Sequence, residues 1–154
     1  MQHMTIYLEN RKAKADYDFI ETYEAGIELL GFEVKSVRKG QGSLPSSRVI
    51  IRGNEAYLVN MDIPAYQPKN APDDYDQKRT RRLLLTKKEI KRLSSVENQK
   101  GLTIVPLSMY NKARFLKVSI AVVRGKKKFD KRESIKKRET DREIRRTLKN
   151  VIRD

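Results

Sequence analysis

Gly31-Phe32-Glu33-Val34-Lys35-Ser36-Val37-Arg38-Lys39-Gly40 is a short amphipathic turn set closed by glycine at both ends. Val34 and Val37 stand three apart and share one face of a helix, while Glu33, Lys35, Arg38 and Lys39 spread over the remainder. Immediately before it, Thr22-Tyr23-Glu24-Ala25-Gly26-Ile27-Glu28-Leu29-Leu30 carries an apolar spacing closer to that of a strand. The two together read as a strand-to-helix crossover whose charged side faces solvent. Residues 20–30 form one or two strands, with a break at Gly26.

Outward from there, residues 1–9 read as a loose arm, and the only histidine, His3, lies in it without partners for metal or catalytic work. On the other side, Arg48-Val49-Ile50-Ile51-Arg52 is β-branched, Gly53-Asn54 offers a tight turn, and Ala56-Tyr57-Leu58-Val59-Asn60-Met61 returns as a hairpin. Residues 64–80 are a long loop with Pro64, Pro68 and Pro72 and an acidic knot at Asp73, Asp74 and Asp76. Three close carboxylates suit a divalent metal; as loop charges they answer Lys78, Arg79, Arg81 and Arg82, which is the favoured reading. Leu83-Leu84-Leu85 is a buried strand or bend. Thr86 with Glu89 three later makes a capping box for a helix with Ile90 and Leu93 inward, ending near Lys100-Gly101. Residues 103–107 and 115–123 are strands paired through a turn around Asn111; Leu116, Val118, Ile120 and Val122 face the core and Lys117 points out.

About six strands and two to three helices, strand-rich and without βαβ rhythm, suit a mainly β fold: a small closed or half-closed barrel of the oligonucleotide-binding (OB) kind with helices outside. The 154 residues carry 36% charged and 38% hydrophobic side chains, enough for one modest core. A net charge of +15 points to a polyanion, nucleic acid before an anionic membrane. Without cysteine there are no disulfides, thiolate metal sites or thiol nucleophiles. No apolar run approaches the roughly 18 residues of a membrane span, and no signal-peptide core appears, so a cytoplasmic protein is expected.

Composition shifts at Gly125, which divides the expected OB-like barrel (1–125), the candidate RNA-binding unit, from a basic tail (126–154). The tail holds 13 Lys and Arg against 6 Asp and Glu, so it contributes +7. Its large apolar residues, Phe129, Ile135, Ile144, Leu148, Val151 and Ile152, are too few to offset the entropy of ordering it alone, so it is expected to be disordered when free. A helix is latent: Arg142, Arg145, Arg146, Lys149 and Arg153 form a basic stripe, with Ile144, Leu148, Val151 and Ile152 opposite. A solvated tail, a membrane-surface helix and a segment that folds onto RNA are the readings this allows.

Asn10-Arg11-Lys12-Ala13, Tyr23-Glu24-Ala25-Gly26, Glu33-Val34-Lys35-Ser36 and Arg82-Leu83-Leu84-Leu85 appear in order, followed by Lys87-Lys88-Glu89-Ile90 and Gly101-Leu102-Thr103-Ile104-Val105-Pro106-Leu107. Gly125-Lys126-Lys127-Lys128-Phe129-Asp130-Lys131-Arg132-Glu133 completes the set. Together they resemble the small protein B (SmpB) family, the SsrA-binding or transfer-messenger RNA-binding proteins of bacterial trans-translation. The resemblance implies a barrel related to the OB fold. It also implies a non-enzymatic adaptor, without metal or cofactor, that binds the tRNA-like domain of transfer-messenger RNA (tmRNA) and delivers it to stalled ribosomes for nascent-chain tagging and ribosome rescue. The alternative is a ribosomal or general single-strand RNA-binding protein.

The positions that match the family's tmRNA contacts are Asn10, Glu24, Leu84 and Lys117. Their chemistry suits RNA recognition, with an amide and a carboxylate for base edges, an apolar platform for an unstacked base and an ammonium for phosphate. Ordinary structural roles fit each equally: a turn former, a ladder charge, a core leucine, a solvated lysine. Phe129, Asp130, Lys131, Arg132, Lys136, Lys137 and Arg138 match the tail motif, which the family places in the messenger channel and decoding centre of the small subunit. Elongation factor Tu with GTP is the further implied partner; a membrane is not. Asp62 stands where histidine is frequent, Gln77 where proline is usual, Arg48 where an aromatic is common, and Phe129 where histidine or tyrosine occurs.

Overall fold

The computed structural model describes residues 4–126. In chain order the elements are β1 (Ile6–Glu9), α1 (Arg11–Asp16), β2 (Tyr17–Ile27), α2 (Gly31–Arg38), β3 (Arg48–Arg52) and β4 (Glu55–Val59). After a loop containing one 3-10 turn (Pro68–Asn70) come β5 (Arg81–Leu84), α3 (Lys87–Glu97), β6 (Leu102–Lys112) and β7 (Phe115–Gly125). All strand pairs are antiparallel, in one seven-stranded sheet ordered β1-β6-β7-β2-β5-β4-β3. The sheet curls until β3 packs near β6, yet no ladder joins them. The barrel is therefore open, and the mainly β expectation with outer helices holds. The tail from Lys127 onward, including Phe129, Asp130, Lys131, Arg132, Lys136, Lys137 and Arg138, lies outside the described residues.

Local chemistry explains the elements. Gly53 and Asn54 both take positive φ, +55° and +61°, as a two-residue turn that matches strand twist requires. In α3 the Thr86 hydroxyl accepts from the Glu89 amide at 3.2 Å, and the Glu89 carboxylate accepts from the Thr86 amide at 3.0 Å. Ile90, Leu93 and Val96 of α3 are buried in the core with Ala25, Leu58, Leu83, Met109, Val118 and Ile120 from the inner sheet face. A smaller cluster of Ala13, Val105, Ala121 and Val123 covers the opposite face under α1, so the clean alternation of β7 ends at Ile120.

Several expectations shift. The loose arm is partly a strand: β1 pairs with β6, and the Thr5 amide donates to Asn111 Oδ1 at 2.6 Å. The β6–β7 turn falls at Ala113 and Arg114, not around Asn111, with Ala113 at φ +56°. β2 is one strand; its register shift lies between Phe19 and Glu21, not at Gly26. α3 stops at Glu97, three residues before Lys100, because Asn98 takes the cap. Among the described residues, no helix is long and apolar enough to cross a membrane.

Candidate nucleic-acid interface

Alternation along β2 turns Tyr23 and Ala25 toward the core and leaves Glu24 and Gly26 on the outer face. The ladders set Gly26 opposite Lys117 of β7 and opposite Leu84 of β5. Three of the four barrel residues singled out in the sequence therefore meet around one glycine. A Cβ added to Gly26 would stand 3.1 Å from the Leu84 Cβ and 3.3 Å from its Cδ1. The bare backbone is what lets Leu84 lie close over β2 while remaining 46% exposed. The result is an apolar platform flanked by an ammonium and a carboxylate.

Glu24 Oε2 accepts from the Tyr110 hydroxyl at 2.6 Å and Oε1 from Lys112 Nζ at 3.1 Å. The Tyr110 hydrogen bond, then that of Lys112, hold the carboxyl below its ordinary range despite some desolvation; Lys117 adds to the effect. Burial, then the carboxylate itself, push the Tyr110 hydroxyl up. At neutral pH the pair is thus a fixed anion and a fixed donor, tying β2 to β6 across β7. An anion repels phosphates, but Glu24 is already answered by Lys112, and a carboxylate keeps lone pairs for an exocyclic amine. Tyr110 and Lys112 lie beyond Leu107, where the sequence places the end of this strand; period-2 alternation carried five residues further finds both.

Asn10 is placed differently. It is 5% exposed and caps α1: Oδ1 accepts from the Ala13 amide at 3.2 Å, and Nδ2 donates to the Pro106 carbonyl at 2.9 Å. It sits at the end of β1, three strands from β2 in the sheet, and so does not join the Gly26 cluster. It stands instead in an open cleft of about 370 Å³ between α1, residues 45–48 and β6, with Lys12 and Arg48 on its walls.

The long loop is held by Glu33, a carboxylate that the amphipathic pattern assigns to solvent. Glu33 has no exposed surface. It receives Arg81 Nε at 2.9 Å and Nη2 at 2.6 Å, Arg79 through Nε and Nη2, the Tyr75 hydroxyl at 2.8 Å and the Leu30 amide at 2.7 Å. Burial alone would raise its pKa, but Arg79, the Leu30 amide, Arg81 and Tyr75 outweigh it and hold the carboxyl at about 2. Arg79 and Arg81 thus answer Glu33, and Arg82 answers Glu55 and Glu28, rather than the acidic knot. Among the described residues no group of three or more histidine or acidic side chains is arranged to hold a metal. Among the described residues Gln77 contributes its backbone carbonyl, to Arg81 Nη2 and the Ile63 amide, which proline would offer equally. Asp62 Oδ1 is buried without a hydrogen-bond partner among the described residues.

A curled antiparallel sheet with a mixed cationic, carboxylate and apolar outer face, in a chain of +15, defines a basic β-protein of the RNA-binding class. The family described as SmpB protein matches residues 7–150, and the chain belongs to it. It is 50% identical over 147 residues to the SsrA-binding protein of Thermosipho melanesiensis, covering 95% of this chain and 99% of that one. It is 50% identical to the SsrA-binding protein of Ligilactobacillus salivarius and 48% to that of Gloeothece citriformis, each over 92% of this chain and 91% of the relative. A solved structure described as "tmRNA-SmpB: a journey to the center of the bacterial ribosome" superimposes with a TM-score of 0.66. It is 46% identical, over 79% of this chain and 85% of that one.

Proposed function

We propose that the chain is a non-enzymatic adaptor that binds the tRNA-like domain of tmRNA and delivers it to stalled ribosomes, starting nascent-chain tagging and ribosome rescue. The observation that carries this reading is the meeting of Glu24, Leu84 and Lys117 around Gly26. Leu84 offers the platform for an unstacked base, Glu24 accepts at a base edge, and Lys117 answers phosphate. Asn10 acts by fixing α1, and with it Lys12, beside the sheet. Membership of the SmpB family supports the RNA and the ribosome as partners. Elongation factor Tu with GTP and a cytoplasmic location extend the same reading.

Residues 1–125 form the RNA-gripping unit and residues 126–154 the ribosome-directed tail. In the tail, Phe129, Asp130, Lys131, Arg132, Lys136, Lys137 and Arg138 engage the decoding centre and messenger channel, their excess of positive charge meeting ribosomal RNA phosphates. The test is capture of the full chain from bacterial cells followed by sequencing of the bound RNA. Strong enrichment of tmRNA over ribosomal and transfer RNA is expected. Broad recovery of ribosomal RNA fragments without that enrichment contradicts it.

A further inference from the structure

Phe115 opens β7 at the β6–β7 turn, directly opposite Lys112 and two residues before Lys117 on the same outer face. It is 68% exposed, more than any other large apolar side chain among the described residues. An exposed ring that continues into an apolar cleft with a polar rim has the form of a contact surface. Behind Phe115 lies such a cleft, of about 190 Å³, between α2 and the turn, walled by Ile27, Leu29, Val34 and Leu116, with Arg38 and Arg114 at its edges. That is below the roughly 300–1,000 Å³ of ordinary small-molecule sites and leaves room for no more than one ring system. Arg38 Nη2 donates to the Arg114 carbonyl at 3.1 Å, which ties the turn to α2. The Arg114 guanidinium has no hydrogen-bonding or ionic partner among the described residues.

We infer that Phe115, with Arg38 and Arg114, is a second base-stacking station of the RNA interface: one unpaired nucleobase lies on the Phe115 ring at the mouth of the apolar cleft, and its flanking phosphate meets Arg114. This rests on the RNA-binding reading above and extends its surface from Leu84 and Lys117 to the end of the hairpin. Continuity selects the occupant, because the strand that presents Lys117 to phosphate presents Phe115 one strand-repeat away. Charge selects it too: Arg38 and Arg114 stand at the edges of the cleft beside the ring, which suits a nucleotide and not an apolar peptide.

The chain contains no tryptophan, so Phe115→Trp supplies a single indole at the station, excited selectively over the seven tyrosines. Titration with the tRNA-like domain of tmRNA is expected to quench that emission by at least about half, saturating at the concentration where independent binding saturates. Phe115→Leu, which keeps an exposed apolar side chain, is expected to weaken affinity about tenfold with the salt dependence unchanged. Arg114→Ala is expected to reduce the log–log salt slope by about one. Unaltered emission from a Phe115→Trp chain that binds the RNA normally overturns the stacking station and leaves the RNA-binding reading standing. Absence of binding by the unsubstituted chain overturns both.

Discussion

Glu33 is the residue on which the loop side of the molecule depends. With it in place, Arg81, which also has no exposed surface, is neutralised and donates further to the Met61, Arg79 and Gln77 carbonyls. Removing the carboxylate in Glu33→Ala leaves a buried guanidinium without its counter-ion, so unfolding by urea should lose about 3–5 kcal/mol. A loss below about 1 kcal/mol would show that water or loop movement replaces the carboxylate. Acid has a related effect. The folded carboxyl sits at about 2 against an ordinary 4.5, so its contribution is complete above about 4.5 and is lost as pH falls toward 2. That contribution is of order 3 kcal/mol, so urea midpoints should fall between about pH 5 and about pH 2.5 in the unsubstituted chain and fall much less in Glu33→Gln. None of this is legible locally: the three-residue spacing of Val34 and Val37 assigns Glu33 to the solvated side, and its partners lie 46 and 48 residues on. What decides burial here is a loop crossing α2, and no periodicity within the helix carries that.

At the scale of elements, short-range chemistry is readable and long-range pairing is not. The Gly53-Asn54 hairpin and the Thr86–Glu89 capping box stand where the sequence puts them, because each is decided by near neighbours. β1 escapes a sequence reading because its four residues are an edge strand, too short for alternation to register, and pairing with β6 alone makes it one. Gly26 reads as a break, whereas it is the point where β2 leaves β7 for β5 and where Leu84 crosses close. Valine there would press its branched Cβ into Leu84, with a stability cost of about 1–3 kcal/mol. Because the displaced leucine is the proposed platform, Gly26→Val should also weaken tmRNA binding at least about tenfold, as measured in folded protein by filter binding. Unchanged affinity in a folded Gly26→Val chain would remove Leu84 from the interface. Glu24, Leu84 and Lys117 stand out in the sequence by resemblance alone; only the strand register shows that these three share one face and that Asn10 is elsewhere.

For the whole molecule, charge is divided between a sheet that carries mixed chemistry and a tail that carries +7 in 29 residues. The division predicts separable functions. Replacing Asp130, Lys131 and Arg132 together by alanine should leave affinity for the isolated tRNA-like domain within a few-fold, since the proposed grip is made by Glu24, Leu84 and Lys117 and exposed charges are largely screened at physiological salt. Tagging of a stalled nascent chain in a reconstituted system should nonetheless be largely lost; normal tagging would dissolve the proposed division. Lys117→Ala should reduce the log–log salt slope of RNA binding by about one, whereas Glu24→Ala should weaken binding with the slope almost unchanged. The central claim, that RNA is gripped by the outer face around Gly26, is tested most directly by titrating the tRNA-like domain into the isotope-labelled full chain and following backbone amide shifts. The largest changes are expected at Glu24, Gly26, Leu84, Tyr110 and Lys117, spreading to Phe115, with α3 and β3 little altered. Changes concentrated on Arg48–Arg52 and Lys87–Glu97, with the Gly26 cluster silent, would contradict it.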